Sequence, residues 1–404
     1  MIQRTSYIEK LLSLKDQRII KAITGMRRCG KSTIMAQYHD ALVRLGVAEQ
    51  QIVNINLECR ENEKYQSWTV LYDEIVSHCG QGRKTYVLLD EVQQIEDFER
   101  LIDALFVRED IDLYVTGSNA FLLSSELATL LSGRYIEIHV LPYSFAEYCQ
   151  AFPDEHNLDR LFRQFLNVSA LPEAVNLSLS APSMVNDYLK SIHETVVVKD
   201  IMKRHNLRKR ENMERILSFV YDNVGNITSP NNIAEVIKAS GGISHNTVSA
   251  YLSYLAQSYI IYPASRYDMK GKSLLTTNPK YYVVDLGLKN ILQSNRFDAD
   301  LGHKLENIVF LELLRRGGEV RIGKMDDKEV DFVVEKGNGE REYYQVAYSV
   351  NDEKTLKREI SSLSKLRDVY PKYLLTLDWD TSIISGIRKI NIVDWLLCEI
   401  LNNE

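Results

Sequence analysis

An apolar run that feeds a glycine-bounded loop constrains this chain more than any other feature. Arg18-Ile-Ile-Lys-Ala-Ile-Thr24 reads as a strand, Gly25-Met26-Arg27-Arg28-Cys29-Gly30 as a loop, and Lys31-Ser32-Thr33 as the opening of a helix. Strand, loop and helix N-terminus in that order build an anion cradle, because successive N–H groups and the positive helix end face the same point. Gly25 is needed where the chain turns sharply. Gly30 is needed where backbone approaches phosphate oxygens and a Cβ would obstruct. In such a cradle Lys31 reaches the β- and γ-phosphates and Ser32 offers its hydroxyl to Mg²⁺. A chance glycine-rich turn is the bland alternative, and it leaves the preceding strand unexplained.

The length of 404 residues predicts two to four domains, at about 100–200 residues each. A net charge of -6 excludes a protein coated in basic residues, so any polyanion surface must be local. The five cysteines are odd in number and show no CxxC spacing. Neither a disulfide framework nor a zinc site is expected, and a reducing compartment fits. The first residues lack an apolar signal core, and no run approaches the ~20 apolar residues of a membrane span. The expectation is a cytoplasmic protein with no membrane partner.

Further strands follow the first. Ile52-Val-Asn-Ile-Asn-Leu57 alternates as a strand should, after a helix from about Thr33 to Leu45. Thr85-Tyr-Val-Leu-Leu-Asp90-Glu91 carries four apolar residues into two carboxylates, the pattern of a parallel strand buried on both faces. Ligands of open α/β sheets sit beyond the carboxyl ends of strands. Asp90 is therefore expected to hold Mg²⁺, usually through water, and Glu91 to polarise the attacking water. The alternative is a helix-capping Asp90 and a solvated Glu91. Asp112-Leu-Tyr-Val-Thr116-Gly117-Ser118-Asn119 ends in small polar residues, making Ser118 and Asn119 candidate γ-phosphate sensors, with a helix cap by Ser118 as the competing reading. Arg134 opens one more strand and is a candidate to neutralise transition-state charge, within a subunit or across an interface.

Together these residues resemble the bacterial and archaeal AAA-type ATPases that pair a P-loop domain with a C-terminal domain of unknown function. The likeness rests on Gly25 to Ser32, which has the form Gly-x-Arg-Arg-x-Gly-Lys-Ser/Thr, and on Leu88-Leu-Asp-Glu-Val-Gln93, Thr116-Gly-Ser118, Leu131-Ser-Gly-Arg134 and Leu141-Pro-Tyr-Ser-Phe-Ala-Glu147. The resemblance implies ATP as the nucleotide, Mg²⁺ as the cofactor, Walker A and Walker B segments at the first two motifs, and Glu91 as the catalytic glutamate. Residues 25–33 then form the nucleotide-binding set. At Ser169-Ala170-Leu171-Pro172-Glu173 relatives usually carry paired glycines, which this chain lacks.

Beyond Phe152 the apolar spacing is helical to about Asn206, as in a lid or linker. Lys199, Lys203, Arg204, Arg208, Lys209 and Arg210 against the single acid Asp200 form the strongest basic cluster. Such a run suits a nucleic-acid backbone, the phosphates of a neighbouring subunit's ATP, or simply a solvated face. Three helices near Glu214–Val224, Asn231–Ala239 and Thr247–Tyr259, then an extended hairpin with Arg266, Lys270 and Lys272, read as a winged helix. Ser244 is expected to cap the third helix, leaving His245, Asn246, Thr247 and Ser249 for a groove, while Tyr251, Tyr254 and Leu255 go to the core.

The last stretch places Glu306 on a helix, Asp331 on a strand, and Gln345 and Ala347 on the next, which resembles the restriction-endonuclease-like fold. An active member needs Asp, Glu and a lysine two residues after the Glu. The Gln and Ala here predict the fold without ordinary nuclease activity, unless Lys324 or Lys328 substitutes in space.

The resulting expectation is an α/β chain divided as 1–148 P-loop AAA-type ATPase, 149–206 helical linker, 207–275 winged helix and 276–404 degenerate nuclease-like domain. Its function is Mg²⁺-dependent ATP hydrolysis coupled to domain or subunit rearrangement, with DNA and a homo-oligomer as candidate partners. The competing readings are a nucleic-acid-binding protein with a slow nucleotide switch, an active nuclease, and an assembly protein whose oligomerisation the nucleotide controls.

Overall fold

A computed structural model describes residues 2–62, 64, 65, 67–80, 82–118, 133–207, 209–238, 242–271, 273–292 and 301–398. The chain forms two compact units, Met1–Pro142 with Gln257–Tyr259, and Tyr143–Ala256 with Ile260–Glu404.

In the first unit the β-branched runs become strands β1 (Ile20–Thr24), β2 (Ile52–Asn56), β3 (Thr85–Asp90), β4 (Ile111–Gly117) and β5 (Tyr135–His139). Among the described residues they make one five-stranded sheet in the order β2-β3-β4-β1-β5, with every pairing parallel. β1, β3 and β4 are buried along their whole length, as strands covered on both faces must be. Alternate residues of one strand feed opposite cores. Val87 and Leu89 join Leu101, Ile102 and Leu105, while Tyr86 and Leu88 join Ile34, Tyr38 and Leu42. The helix Lys31–Arg44 therefore packs on one face and the helix Phe98–Val107 on the other.

The second unit begins with helices Phe145–Gln150, Leu158–Asn167, Pro172–Ser180 and Val185–Ile192, then a π-helical stretch His193–Asp200. Ser144 and Glu147 cap the first of them reciprocally, at 3.0 and 2.8 Å. The turn at Ser169 needs no glycine pair: the Ser169 hydroxyl and the Ala170 N–H both donate to the Asp285 carboxylate, at 3.0 and 2.8 Å. Three helices, Arg210–Asp222, Pro230–Lys238 and His245–Gln257, precede a hairpin of β6 (Ile261–Asp268) and β7 (Ser273–Val283). Ser244 accepts from the Thr247 N–H at 3.2 Å, and Tyr251 and Leu255 are buried. Strands β8 (Glu319–Met325), β9 (Lys328–Glu335), β10 (Arg341–Val346), β11 (Lys372–Thr376), β12 (Ser382–Ile384) and β13 (Ile387–Asn391) follow. All eight make one mixed sheet, β12-β13-β11-β10-β9-β8-β6-β7. A boundary between residues 275 and 276 falls inside β7. The hairpin belongs to the same sheet as the last strands because Arg266–Asp268 pair with Ile322–Lys324 of β8. Among the described residues no helix is long and apolar enough to cross a membrane.

Candidate phosphate-binding and hydrolytic site

The parallel register brings the carboxyl ends of β1, β3 and β4 side by side, with Thr24 opposite Gly117 and Leu89 opposite Val115. The loop after β1, the Asp90-Glu91 pair after β3 and Ser118 after β4 therefore open onto one crevice. Gly25 has φ +142°, and a Cβ there would lie 2.3 Å from the Val140 carbonyl oxygen, so only glycine lets the loop leave the strand. Gly30, at φ +100°, is the N-cap of the helix Lys31–Arg44 and has no side chain to occupy the helix's first N–H groups. Met26 and Cys29 point into the core and offer only backbone to the crevice. The Arg4 guanidinium supports the loop from behind, donating to the carbonyls of Cys29 and Leu141 at 3.2 and 2.9 Å. Arg27 pairs with Glu58 at 2.7 Å, Arg28 adopts φ +73°, and Ser32 is exposed with Thr33 half-buried beside it.

Lys31 is buried, its ammonium donating to the carbonyls of Gly25 and Met26 at 3.2 and 3.3 Å and lying 3.4 Å from Glu91 Oε1. These contacts are long for charge-assisted hydrogen bonds, so phosphate oxygens can replace them at little cost. Asp90 is buried, and burial raises its pKa against hydrogen bonds from Ser32 and Thr116 that favour the carboxylate. The Thr116 hydroxyl donates to Asp90 Oδ1 at 2.5 Å while accepting from the Glu91 N–H at 2.9 Å. Asn56 donates to the second oxygen, Oδ2, at 3.0 Å. Glu91 itself sits at φ +57°, a left-handed conformation that costs free energy and that the Thr116 bond holds in place. Its other carboxylate oxygen, Oε2, accepts from Gln93 Nε2, which also donates to Ser118 Oγ at 3.4 Å.

The donor set fits a hard cation. A hydroxyl, Ser32, and an adjoining carboxylate, Asp90, are oxygen ligands of the kind Mg²⁺ takes alongside water and phosphate.

Not every expected residue joins them. Arg134 precedes β5, and its carbonyl accepts from the Ile20 N–H at 2.8 Å, which puts it at the amino ends of the strands. That is a strand length, roughly 16 Å, from the crevice. Its side chain pairs with Asp103 at 2.8 Å. Within one chain Arg134 is thus separated from Lys31 by the direction of β1. Asn119 lies outside the described residues, as do Arg208 and Lys272. In the basic cluster Arg210 is paired with Glu194 and Glu214, at 2.5 and 2.7 Å, and in the hairpin Lys270 pairs with Asp326 at 2.7 Å. His205 stacks on Tyr254 at 3.7 Å.

In the second unit Glu306 and Asp331 do come together, and the cation between them is one the spacing could not supply. Lys280, from β7, lies 3.1 Å from Glu306 Oε1 and also pairs with Glu329; neither Lys324 nor Lys328 fills that place. Tyr282 donates to Glu306 Oε1 at 2.6 Å. Burial opposes the charge on Lys280, but Glu306, Asp331 and Glu329 outweigh it and hold its pKa above the usual lysine value. Burial, reinforced by Glu306, pushes the Asp331 carboxyl well up. Gln345 turns to Glu359 and Ser362, at 3.2 and 3.4 Å.

Asn56, Thr116, Gln93 and Lys280 escaped the sequence reading. For Asn56 and Thr116 the available signal was a polar residue at the carboxyl end of a strand. Gln93 stood inside a quoted motif without a role.

Comparison with known proteins follows this division. An "AAA domain" family model matches residues 17–149, and a "Domain of unknown function (DUF8612)" model matches residues 159–299. A protein of Haemophilus influenzae described as uncharacterized is 36% identical over 405 residues, covering 98% of this chain and 99% of its own. Another uncharacterized protein, from Methanocaldococcus jannaschii, is 26% identical over 367 residues, covering 86% of this chain and 78% of its own. The Walker-type ATPase of Pyrococcus abyssi superposes with a TM-score of 0.50 at 14% identity, over 72% of this chain and 96% of that one. This last likeness is one of fold.

Proposed function

The chain belongs to the family of the Haemophilus influenzae protein and carries an AAA domain followed by a domain of unknown function, and from that premise we propose that it is a Mg²⁺-dependent ATPase. One observation carries the reading: Lys31, Ser32, Asp90, Glu91 and Ser118, far apart in sequence, meet at the carboxyl ends of three parallel strands. Lys31 and the N–H groups after Gly30 bind the β- and γ-phosphates. Ser32 and Asp90 are the residues that would hold Mg²⁺, which would supply neutralisation of charge on the phosphate oxygens. Glu91 takes a proton from water as the water oxygen bonds to the γ-phosphorus. The bond from that phosphorus to the bridging oxygen breaks, and ADP leaves with its electron pair. Ser118 donates to the γ-phosphate. Catalysis is positioning and electrostatics, with no covalent enzyme intermediate. Arg134, at the opposite ends of the strands and paired with Asp103, has no part in chemistry within its own chain.

Nucleic acid is the second reading, favoured by the exposure of His245, Asn246 and Ser249 at the start of the third helix of a winged-helix-like arrangement. The nuclease-like region is read as non-cleaving, since the Lys280 ammonium already pairs with Glu306 and Glu329 where a catalytic cation would sit. The deciding experiment is steady-state ATP hydrolysis by wild type and Lys31→Ala, each with and without double-stranded DNA. Turnover that the substitution abolishes supports the ATPase, stimulation by DNA supports the second reading, and wild-type protein without turnover refutes the first.

A further inference from the structure

Both oxygens of the Glu91 carboxylate are engaged, and by groups of different kinds. Oε1 faces the Lys31 ammonium at 3.4 Å, a contact that bound phosphate would draw away. Oε2 accepts from the Gln93 side-chain amide, a neutral donor on which bound phosphate exerts a weaker pull than on an ammonium. The same nitrogen reaches Ser118 Oγ at 3.4 Å. A carboxylate only accepts, so the nitrogen of Gln93 must be the atom turned to Glu91, and the amide orientation follows from chemistry. That leaves Gln93 Oε1, which is buried and has no hydrogen-bond partner among the described residues. A buried acceptor without a donor is costly, and such groups are commonly satisfied by water or ligand.

We propose that Gln93 is the positioning residue of the hydrolytic water: its N–H fixes Glu91 Oε2, and its orphaned Oε1 accepts a hydrogen bond from the water that Glu91 activates. Resting on the ATPase reading above, this role explains two features at once. Glu91 occupies a left-handed backbone conformation, so its carboxylate needs a second anchor beyond the Thr116 bond to its N–H. Ser118 accepts from the same Gln93 nitrogen, so a γ-phosphate that engages Ser118 is linked through Gln93 to Glu91. The short 3₁₀ turn Val92–Gln94 sets the reach, placing the amide two residues beyond the base it serves.

Gln93→Met keeps length and volume and removes both polar atoms. The expected result is a kcat lower by about tenfold to a hundredfold, with the dissociation constant of a fluorescent ATP analogue and the melting temperature both unchanged. In a Glu91→Gln background the same substitution is expected to cost no more than about threefold, because residues acting as a unit are non-additive. An unchanged kcat in Gln93→Met overturns the proposal. So does a loss of the same size in both backgrounds, or a loss that appears in nucleotide affinity instead of kcat. Wild-type protein that binds the analogue and never turns ATP over overturns the ATPase reading itself, and this role with it, an outcome told apart by the wild-type control.

Discussion

In the first unit Lys31 is buried beside Glu91 at 3.4 Å and two backbone carbonyls at 3.2 and 3.3 Å; in the second, Lys280 is buried against Glu306 at 3.1 Å and, closer still, Glu329. Both are lysines among carboxylates, and their surroundings differ in what they can exchange. Lys31 stands at the mouth of a helix whose first N–H groups lack a side-chain cap, so an incoming anion gains partners as Lys31 changes its own. Lys280 has Tyr282 and Asp331 around the same carboxylates, and a cation arriving there would have to displace an ammonium already saturated by charge. Loose contacts beside unused donors are what the proposed nucleotide site requires. Tight contacts among satisfied groups make a structural one.

The comparison breaks if the two lysines respond alike. Lys31→Ala is expected to lower ATP turnover by about a thousandfold with no loss of melting temperature, read by phosphate release and thermal denaturation. Lys280→Met is expected to do the reverse. It leaves the half-buried Glu306 and Glu329 beside Asp331 without a cation, costing the second unit about 1–3 kcal/mol in urea unfolding, while ATP turnover persists. A Lys280 variant of wild-type stability would mean that the cluster is not a structural pair.

Two smaller effects sharpen the contrast between the carboxylates. Glu91→Gln should reduce turnover about a hundredfold, roughly 2.7 kcal/mol in barrier, and should keep nucleotide binding. Retained turnover would remove Glu91 as the base. Asp331→Asn should show the opposite of a loss. The folded state holds the Asp331 proton more tightly than the unfolded chain does, so ionising it costs stability as pH rises from the ordinary aspartate value of about 3.9 through the raised folded value. The asparagine variant should be more stable than wild type at pH 8, with the difference vanishing below pH 4. Equal stability at both pH values would place a charged Asp331 in the folded protein.

How far the sequence could be read differs along the chain for a physical reason. The strand, loop and helix from Ile20 to Arg44 were legible because glycine conformations, β-branched burial and the helix start are local properties. The three helices before the hairpin were legible from their apolar spacing, with ends differing by a few residues. Arg134 shows where local reading stops. Its place at a strand's start was correct, but the side of the sheet on which that start lies depends on β5 running parallel to β1.

The chemistry of the crevice was written in residue types: a lysine and serine after the second glycine, and two carboxylates after a fully apolar strand. Which groups hold those residues was decided by tertiary structure alone. Asp90 is fixed by Asn56 and Thr116, 34 and 26 residues away, and they meet it only because β2, β3 and β4 lie side by side. Lys280 reaches Glu306 across 26 residues, from a hairpin that joined the sheet of the last strands. Spacing along a chain encodes turns and faces, which arise from backbone sterics within a few residues. Contacts between strands arise from sheet order, and no local spacing carries that order.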